Sequence, residues 1–156
     1  MTTINDACDY IISKLSADDV GLSVLKLQKL LYYCQSWHLA FGQGKLFEGK
    51  FQAWVHGPVN REIYDRFKDD KMLYSAVVHE DIRKDFKAES IPEKARQCID
   101  AVLDVYAKYT GDQLEYLTHQ ELPWKDARGR LELHERCEND ISEDTMQQFY
   151  AAKLEK

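Results

Sequence analysis

Between Val24 and Phe41 the chain is apolar on every side of a would-be helix. Val24, Leu25, Leu27, Leu30, Leu31, Tyr32, Tyr33, Cys34, Trp37, Leu39 and Phe41 leave no face for water. A helix with one apolar stripe lies on a surface, whereas a helix apolar all round has to be surrounded. The segment therefore predicts a central buried helix over about 24–41, and the rest of the chain must cover it. Ser23 is placed to cap its start, and Gly42 and Gly44 to end it. A length of 156 residues suits one core in one domain, 1–156.

The covering elements show as helical stripes. Ile4, Ala7, Cys8, Ile11, Ile12 and Leu15 recur at one-face spacing behind a Thr3/Asp6 capping box. Pro92 opens another helix, with a stripe from Ala95 through Ile99, Val102 and Tyr106 to Tyr109. "DQLEYLTHQ" predicts a short helix with Leu114 and Leu117 inward, and "ELPWKDARG" a turn leading into another. A C-terminal helix over 141–156 has Ser142 as cap and Ile141 stapled onto Met146. Phe51, Ala53 and Val55 alternate with Gln52, Trp54 and His56. That pattern predicts a short strand pairing back onto Leu46–Phe47, a hairpin over about 46–55. Pro58 then suits the start of a helix facing inward with Val59, Ile63, Tyr64 and Phe67. Residues 68–90 alternate charges with isolated apolar pairs and predict a mobile, irregular connector. The fold class is mainly α, a compact helical domain with one small hairpin.

Several chemistries are not expected. The net charge is −6, with 21 Lys and Arg scattered among 27 Asp and Glu. No basic stripe is present to displace counterions from a phosphate backbone, so nucleic-acid binding is not expected. No apolar run approaches 18 residues and the N-terminus lacks a signal peptide's pattern, which predicts a cytoplasmic protein without a membrane span. Cys8, Cys34, Cys98 and Cys137 are too widely spaced for a zinc ribbon and predict reduced core thiols. His134 and Cys137 are three apart but lack two further ligands, and no HExxH occurs, so no metal or other cofactor is expected. Cys34 and His38 are one helical turn apart, yet apolar surroundings would raise the thiol's pKa and blunt it as a nucleophile. No phosphate-binding glycine loop or nucleophile elbow is present.

Two blocks carry a more specific signal: "LKLQKLLYYCQSWHLAFGQGKLFEGKFQAWVHGPV…IYDRF" at 25–67 and "LTHQELPWKDAR" at 117–128. Together they resemble the Panacea domain, a family also called SocA-like or GepA-like and associated with antitoxins and phage elements. The matching positions are Lys29, Leu30, Leu31, Tyr32, Tyr33, Trp37, His38, Trp54, Gly57, Pro58, Val59, Tyr64, Leu117, Thr118, His119, Pro123 and Trp124. The resemblance implies a non-catalytic antitoxin that neutralises a toxin enzyme by direct contact, the toxin being encoded by the adjacent gene. It also admits an adaptor delivering the toxin to a protease, or a phage or mobile-element protein that blocks a host defence factor. The acidic surface would suit a basic toxin.

A domain that meets varied toxins should keep its core and vary its face. Most motif positions are therefore expected to be scaffold. Trp54, His56, His119 and Trp124 are the candidates for partner contact, although Trp124 also suits a core plug. A strand edge at 51–55, if open, would accept a strand from the partner. A rival reading assembles an enzyme site from His38, His56 and His119.

Overall fold

A computed structural model describes residues 1–155. In chain order the elements are α1 (Ile4–Ala17), α2 (Val24–Ala40), β1 (Gln52–Trp54), β2 (Gly57–Val59), α3 (Arg61–Phe67), α4 (Glu93–Tyr106), α5 (Gly111–His119), α6 (Leu122–Arg128) and α7 (Glu143–Lys153). Two single-turn 3-10 helices, His79–Asp81 and Ala88–Ser90, interrupt the segment between α3 and α4. The fold is mainly α with one two-stranded antiparallel hairpin among the described residues.

The central helix is α2. The Ser23 hydroxyl accepts the Lys26 N–H at 3.1 Å, and positive φ angles at Gly42 and Gly44 turn the chain away after its last turn. Leu25, Leu27, Leu30, Leu31, Tyr33 and Cys34 are completely buried. Helices α1, α4, α5 and α7 pack around them, and the hairpin closes the remaining side.

So complete an enclosure strands the polar residues of α2 away from water. A buried polar group must find a partner inside the protein. Lys26, Gln35 and His38 find theirs in the backbone of neighbouring loops, while the buried Ser36 hydroxyl has none among the described residues. Lys26 donates to the carbonyls of Gly21 and Ala107. Gln35 donates to Phe47 O at 2.8 Å and accepts the Leu46 N–H at 2.8 Å. His38 donates from Nδ1 to Gly44 O at 2.6 Å. The irregular stretch 42–51 therefore has backbone groups of Gly44, Leu46 and Phe47 satisfied by side chains of the helix it covers.

This arrangement moves the hairpin from its predicted place. Leu46 and Phe47 are occupied by Gln35, and β1 instead pairs with the residues that follow it: Gln52 with Val59, Ala53 with Pro58, Trp54 with Gly57. Pro58 lies in a strand and does not start a helix. Its missing N–H leaves no acceptor short here, because the Ala53 carbonyl opposite accepts from Arg128 at 2.9 Å, while the Ala53 N–H points outward to Asn139 O at 2.9 Å. Helix α3 begins three residues later, where the Asn60 side chain accepts the Ile63 N–H. The outer edge of β1 is covered: Gln52 bridges to Asp140, and Ile141 N–H donates to Phe51 O at 2.7 Å. The strand edge at 51–55 is thus not open to a partner strand.

The C-terminal helix is α7, capped by Ser142, with Ile141 and Met146 both buried; position 156 lies outside the described residues. Segment 68–90 is irregular but tethered. Val77 N–H donates to Leu22 O, and Lys71 pairs with Asp81. Arg83 reaches both Asp6 and Asp9 of α1, and Arg66 of α3 meets the same Asp9, whose side chain is completely buried. One carboxylate thus joins α1, α3 and the connector. Removing one member of a buried ion network leaves the others uncompensated. Asp9→Ala should therefore cost about 2–4 kcal/mol of stability and speed amide exchange across 79–86. Denaturant unfolding and hydrogen exchange measure both, and a loss under about 1 kcal/mol would show that the network is not the anchor.

Candidate functional site

The two motif blocks meet at the hairpin. Lys29 of α2 is completely buried and donates from Nζ to Pro58 O at 3.0 Å. One residue earlier, Gln28 donates to Asn60 O at 3.1 Å and accepts the Asn60 N–H at 2.9 Å. Consecutive side chains of the central helix thus grip the returning strand. Gly57 makes the approach possible. Its φ is +102°, and a Cβ there would stand 2.5 Å from Lys29 Cε and 3.0 Å from Thr118 Oγ1. Burial lowers the Lys29 pKa to about 7, opposed in part by the Glu115 charge. A neutral amine can still donate to Pro58 O without placing a charge in the core.

From the other side the hairpin rests on α5 and α6. Trp124 is buried, and its Nε1 donates to Trp54 O at 2.9 Å. His119 stacks on Trp124 at 4.0 Å, and the Arg128 guanidinium lies 4.8 Å from the same ring. Arg128 is itself buried and donates to Ala53 O at 2.9 Å and to the carbonyls of Glu132, Leu133 and Glu135. Trp124 therefore does not reach the surface; it supports β1 from behind. His119 is half-buried, and burial lowers its pKa against the Glu115 charge and a hydrogen bond to the Val55 backbone.

Tyr32 and Tyr33 are fully buried in the core, with Trp37 partly buried beside them. The Tyr33 and Tyr150 hydroxyls both donate to Glu121 Oε1, at 2.7 and 2.8 Å, and Tyr150 lies 3.2 Å from the Tyr32 hydroxyl. Trp37 donates to the Tyr106 hydroxyl, and Tyr33 stacks flat on Tyr106 at 4.1 Å. Burial raises the Glu121 carboxyl pKa. Leu30 and Leu31 are fully buried, Val59, Thr118 and Pro123 are buried, and Leu117 is partly so. These motif residues pack the core.

Of the sequence candidates, Trp54 and His56 face outward. Trp54 is half-buried and meets Tyr64 edge-on at 5.0 Å, with the Arg61 guanidinium 5.5 Å from the Trp54 ring and 5.9 Å from the Tyr64 ring. His56, at the hairpin turn, is exposed and donates from Nδ1 to Glu115 at 2.9 Å. Trp54, His56 and Tyr64 line one open groove of about 550 Å³ between the hairpin, α3 and the start of the connector. The three histidines of the rival reading do not assemble. His56 and His119 flank the hairpin turn, while His38 is held by Gly44 nine residues along α2 from Lys29, about 13 Å of helix. Cys34 is buried with its thiol pKa raised well above normal by desolvation. No group of three His, Cys, Asp or Glu side chains stands ready to hold a metal among the described residues. Arg61, Gln28 and Arg128 were absent from the sequence candidates. Arg61 could have been found as a cation one helical turn before Tyr64, and Gln28 as a polar residue in a helix with no polar face.

Residues 27–125 match the sequence pattern of the family described as antitoxin SocA-like, Panacea domain. The chain belongs to that family. It is 34% identical over 77 residues to "Antitoxin SocA" of Caulobacter vibrioides (strain NA1000 / CB15N), a stretch covering 49% of this chain and 40% of the relative's length. No solved structure matches. The Panacea pattern opens inside α2 and closes inside α6, so it frames the two halves that grip the hairpin.

Two outcomes test this geometry. Gly57→Ala must adopt a positive φ and displace a buried lysine from its hydrogen-bond acceptor, Pro58 O. A loss of about 2–3 kcal/mol is expected, a fall in Tm of roughly 4–12 °C for a chain of this size. A change below about 2 °C would mean that Lys29 moves aside freely. Lys29 itself sets a pH slope. Its folded pKa lies below its unfolded one, so above about pH 7 the unfolded chain binds the extra proton and stability rises with pH. Between pH 7 and 8.5 the wild type should gain about 1–2 kcal/mol relative to Lys29→Met. Parallel profiles would show that the buried amine does not titrate in that window.

Proposed function

We propose that this chain is an antitoxin that neutralises a toxin protein by direct, non-catalytic binding in the cytoplasm. Its membership of the SocA-like Panacea family carries the reading, supported by the likeness to a protein named as an antitoxin. The toxin is encoded by the adjacent gene. Partner contact falls on the hairpin face, with Trp54 and His56 presented to the toxin and His119 and Trp124 holding that face rigid from beneath. A rigid support limits the entropy lost on association. Among the described residues no helix is long and apolar enough to cross a membrane.

The test is expression of the neighbouring reading frame under an inducible promoter, alone and with this chain. Growth arrest by the neighbour alone, colony counts restored by co-expression and a stable co-purifying complex are expected. A harmless neighbour, or arrest that persists with both proteins abundant, would sink the reading. Rescue accompanied by disappearance of the toxin would point instead to delivery to a protease.

A further inference from the structure

The groove beside Trp54 has a charge opposite to that of the chain. Arg61, Lys68, Lys71 and Arg136 line it with Glu138, and Asp65 and Asp81 pair with Lys68 and Lys71 from beside the lining, so four cations meet three carboxylates, a local excess of one positive charge in a chain of net −6. Its floor is apolar: Trp54, Val59, Tyr64, Phe67, Met72 and Leu73. Met72 is 81% exposed and Tyr64 38%, so part of that floor lies open. An apolar centre inside a charged rim is the anatomy of a protein-binding patch.

The cations identify the partner's chemistry. Each already meets a carboxylate: Arg61 and Arg136 share Glu138, Lys68 meets Asp65, and Lys71 meets Asp81. Carboxylates from a partner can take over these geometries without rebuilding the rim. The floor's two accessible rings, Trp54 and Tyr64, meet edge-on at 5.0 Å with the Arg61 guanidinium over both, and beside them stand the aliphatic Met72 and Leu73, an arrangement that suits side chains inserted end-on more than stacked bases. The net negative charge of the chain also works against a polyanion.

Resting on the antitoxin reading, we infer that this groove binds an acidic segment of the toxin that inserts one or two apolar side chains over Trp54, Tyr64 and Met72. The acidic chain as a whole steers basic surfaces, but this patch selects a local acidic one. A volume near 550 Å³ holds a few side chains, so the segment is short.

Two arms test this. In the first, the toxin identified by growth rescue is titrated against wild type, Lys68→Glu/Arg136→Glu, Met72→Glu and Lys94→Glu. The first two variants change exposed groove positions and should keep the wild-type Tm; Lys94 is exposed on α4, outside the groove. Weakening of at least tenfold by both groove variants, with Lys94→Glu unchanged, is expected. In the second arm the probe is a 12-residue glutamate-rich peptide with leucine and phenylalanine four positions apart. Its controls are the same peptide with lysine for glutamate and a 12-nucleotide single-stranded RNA. Only the acidic peptide should shift the Trp54 indole resonance, and Lys68→Glu/Arg136→Glu should abolish that shift. Toxin binding that survives both groove variants overturns the inference and leaves the antitoxin reading standing. A toxin that never binds, with the acidic peptide still seated on Trp54, overturns the antitoxin reading and leaves the groove's chemistry standing. Equal response to both peptides, a stronger response to RNA, or a wild-type dimer that the groove variants dissociate in sedimentation assigns the surface to another occupant and overturns the inference.

Discussion

The structure depends on polar side chains that a buried helix extends into the backbone of its surroundings. Once α2 is enclosed, Lys26, Gln28, Lys29, Gln35 and His38 are buried, and each meets a main-chain group of a neighbouring loop, turn or strand. Leaving such groups unpaired would cost about 1–3 kcal/mol each. The same bonds therefore stabilise the helix and fix the loops. The loop from Gly42 to Phe51, the hairpin and the Ala107 turn all take their positions from one helix.

The family motif acquires a division of labour from this. Tyr32, Tyr33 and Trp37 build an aromatic core around the Glu121 carboxylate. Lys29, Gly57 and Pro58 form a lock in which the glycine is small enough for the lysine to reach the proline carbonyl. Trp124 and Arg128 close the lock from the far side by taking the carbonyls of Trp54 and Ala53. What these residues hold in place is the hairpin turn and the indole of Trp54. The motif is mostly buried, and Trp54, His56 and Tyr64 are among the residues of its two blocks that reach the surface.

Much of the helical frame was legible in the sequence, because burial periodicity is a local signal. The all-round apolar run located α2, and single stripes located α1 and α4. The alternation Phe51, Ala53, Val55 placed the first strand but not its partner. Pairing was decided by Gln35, which occupies the preceding segment, and by Lys29, which holds the following one, and neither contact leaves a trace in nearby residues. Pro58 misled for the same reason. It is compatible with a strand because the Ala53 carbonyl, which a proline cannot serve, accepts from Arg128, far along the chain. The sequence pointed to Trp54, His56, His119 and Trp124 alike as surface residues; His56 is exposed and Trp54 half so, whereas Trp124 is buried by its bond to Trp54 O, a contact with a residue seventy positions away. The groove could not be picked out, since it joins residues from the hairpin, α3, the connector and the stretch before α7.

Tyr150 lies beyond the family's shared stretch, yet its hydroxyl completes the set of donors around Glu121, inside it. Ile4 at one end of the chain and Tyr150 near the other belong to the same continuous core. The unit that relatives share and the unit that excludes water are therefore different. Sequence beyond the common stretch can drift in detail, but it must go on supplying a lid for Glu121 and a flank for α2. Relatives that have replaced α7 entirely are then obliged to have found another side chain for that carboxylate.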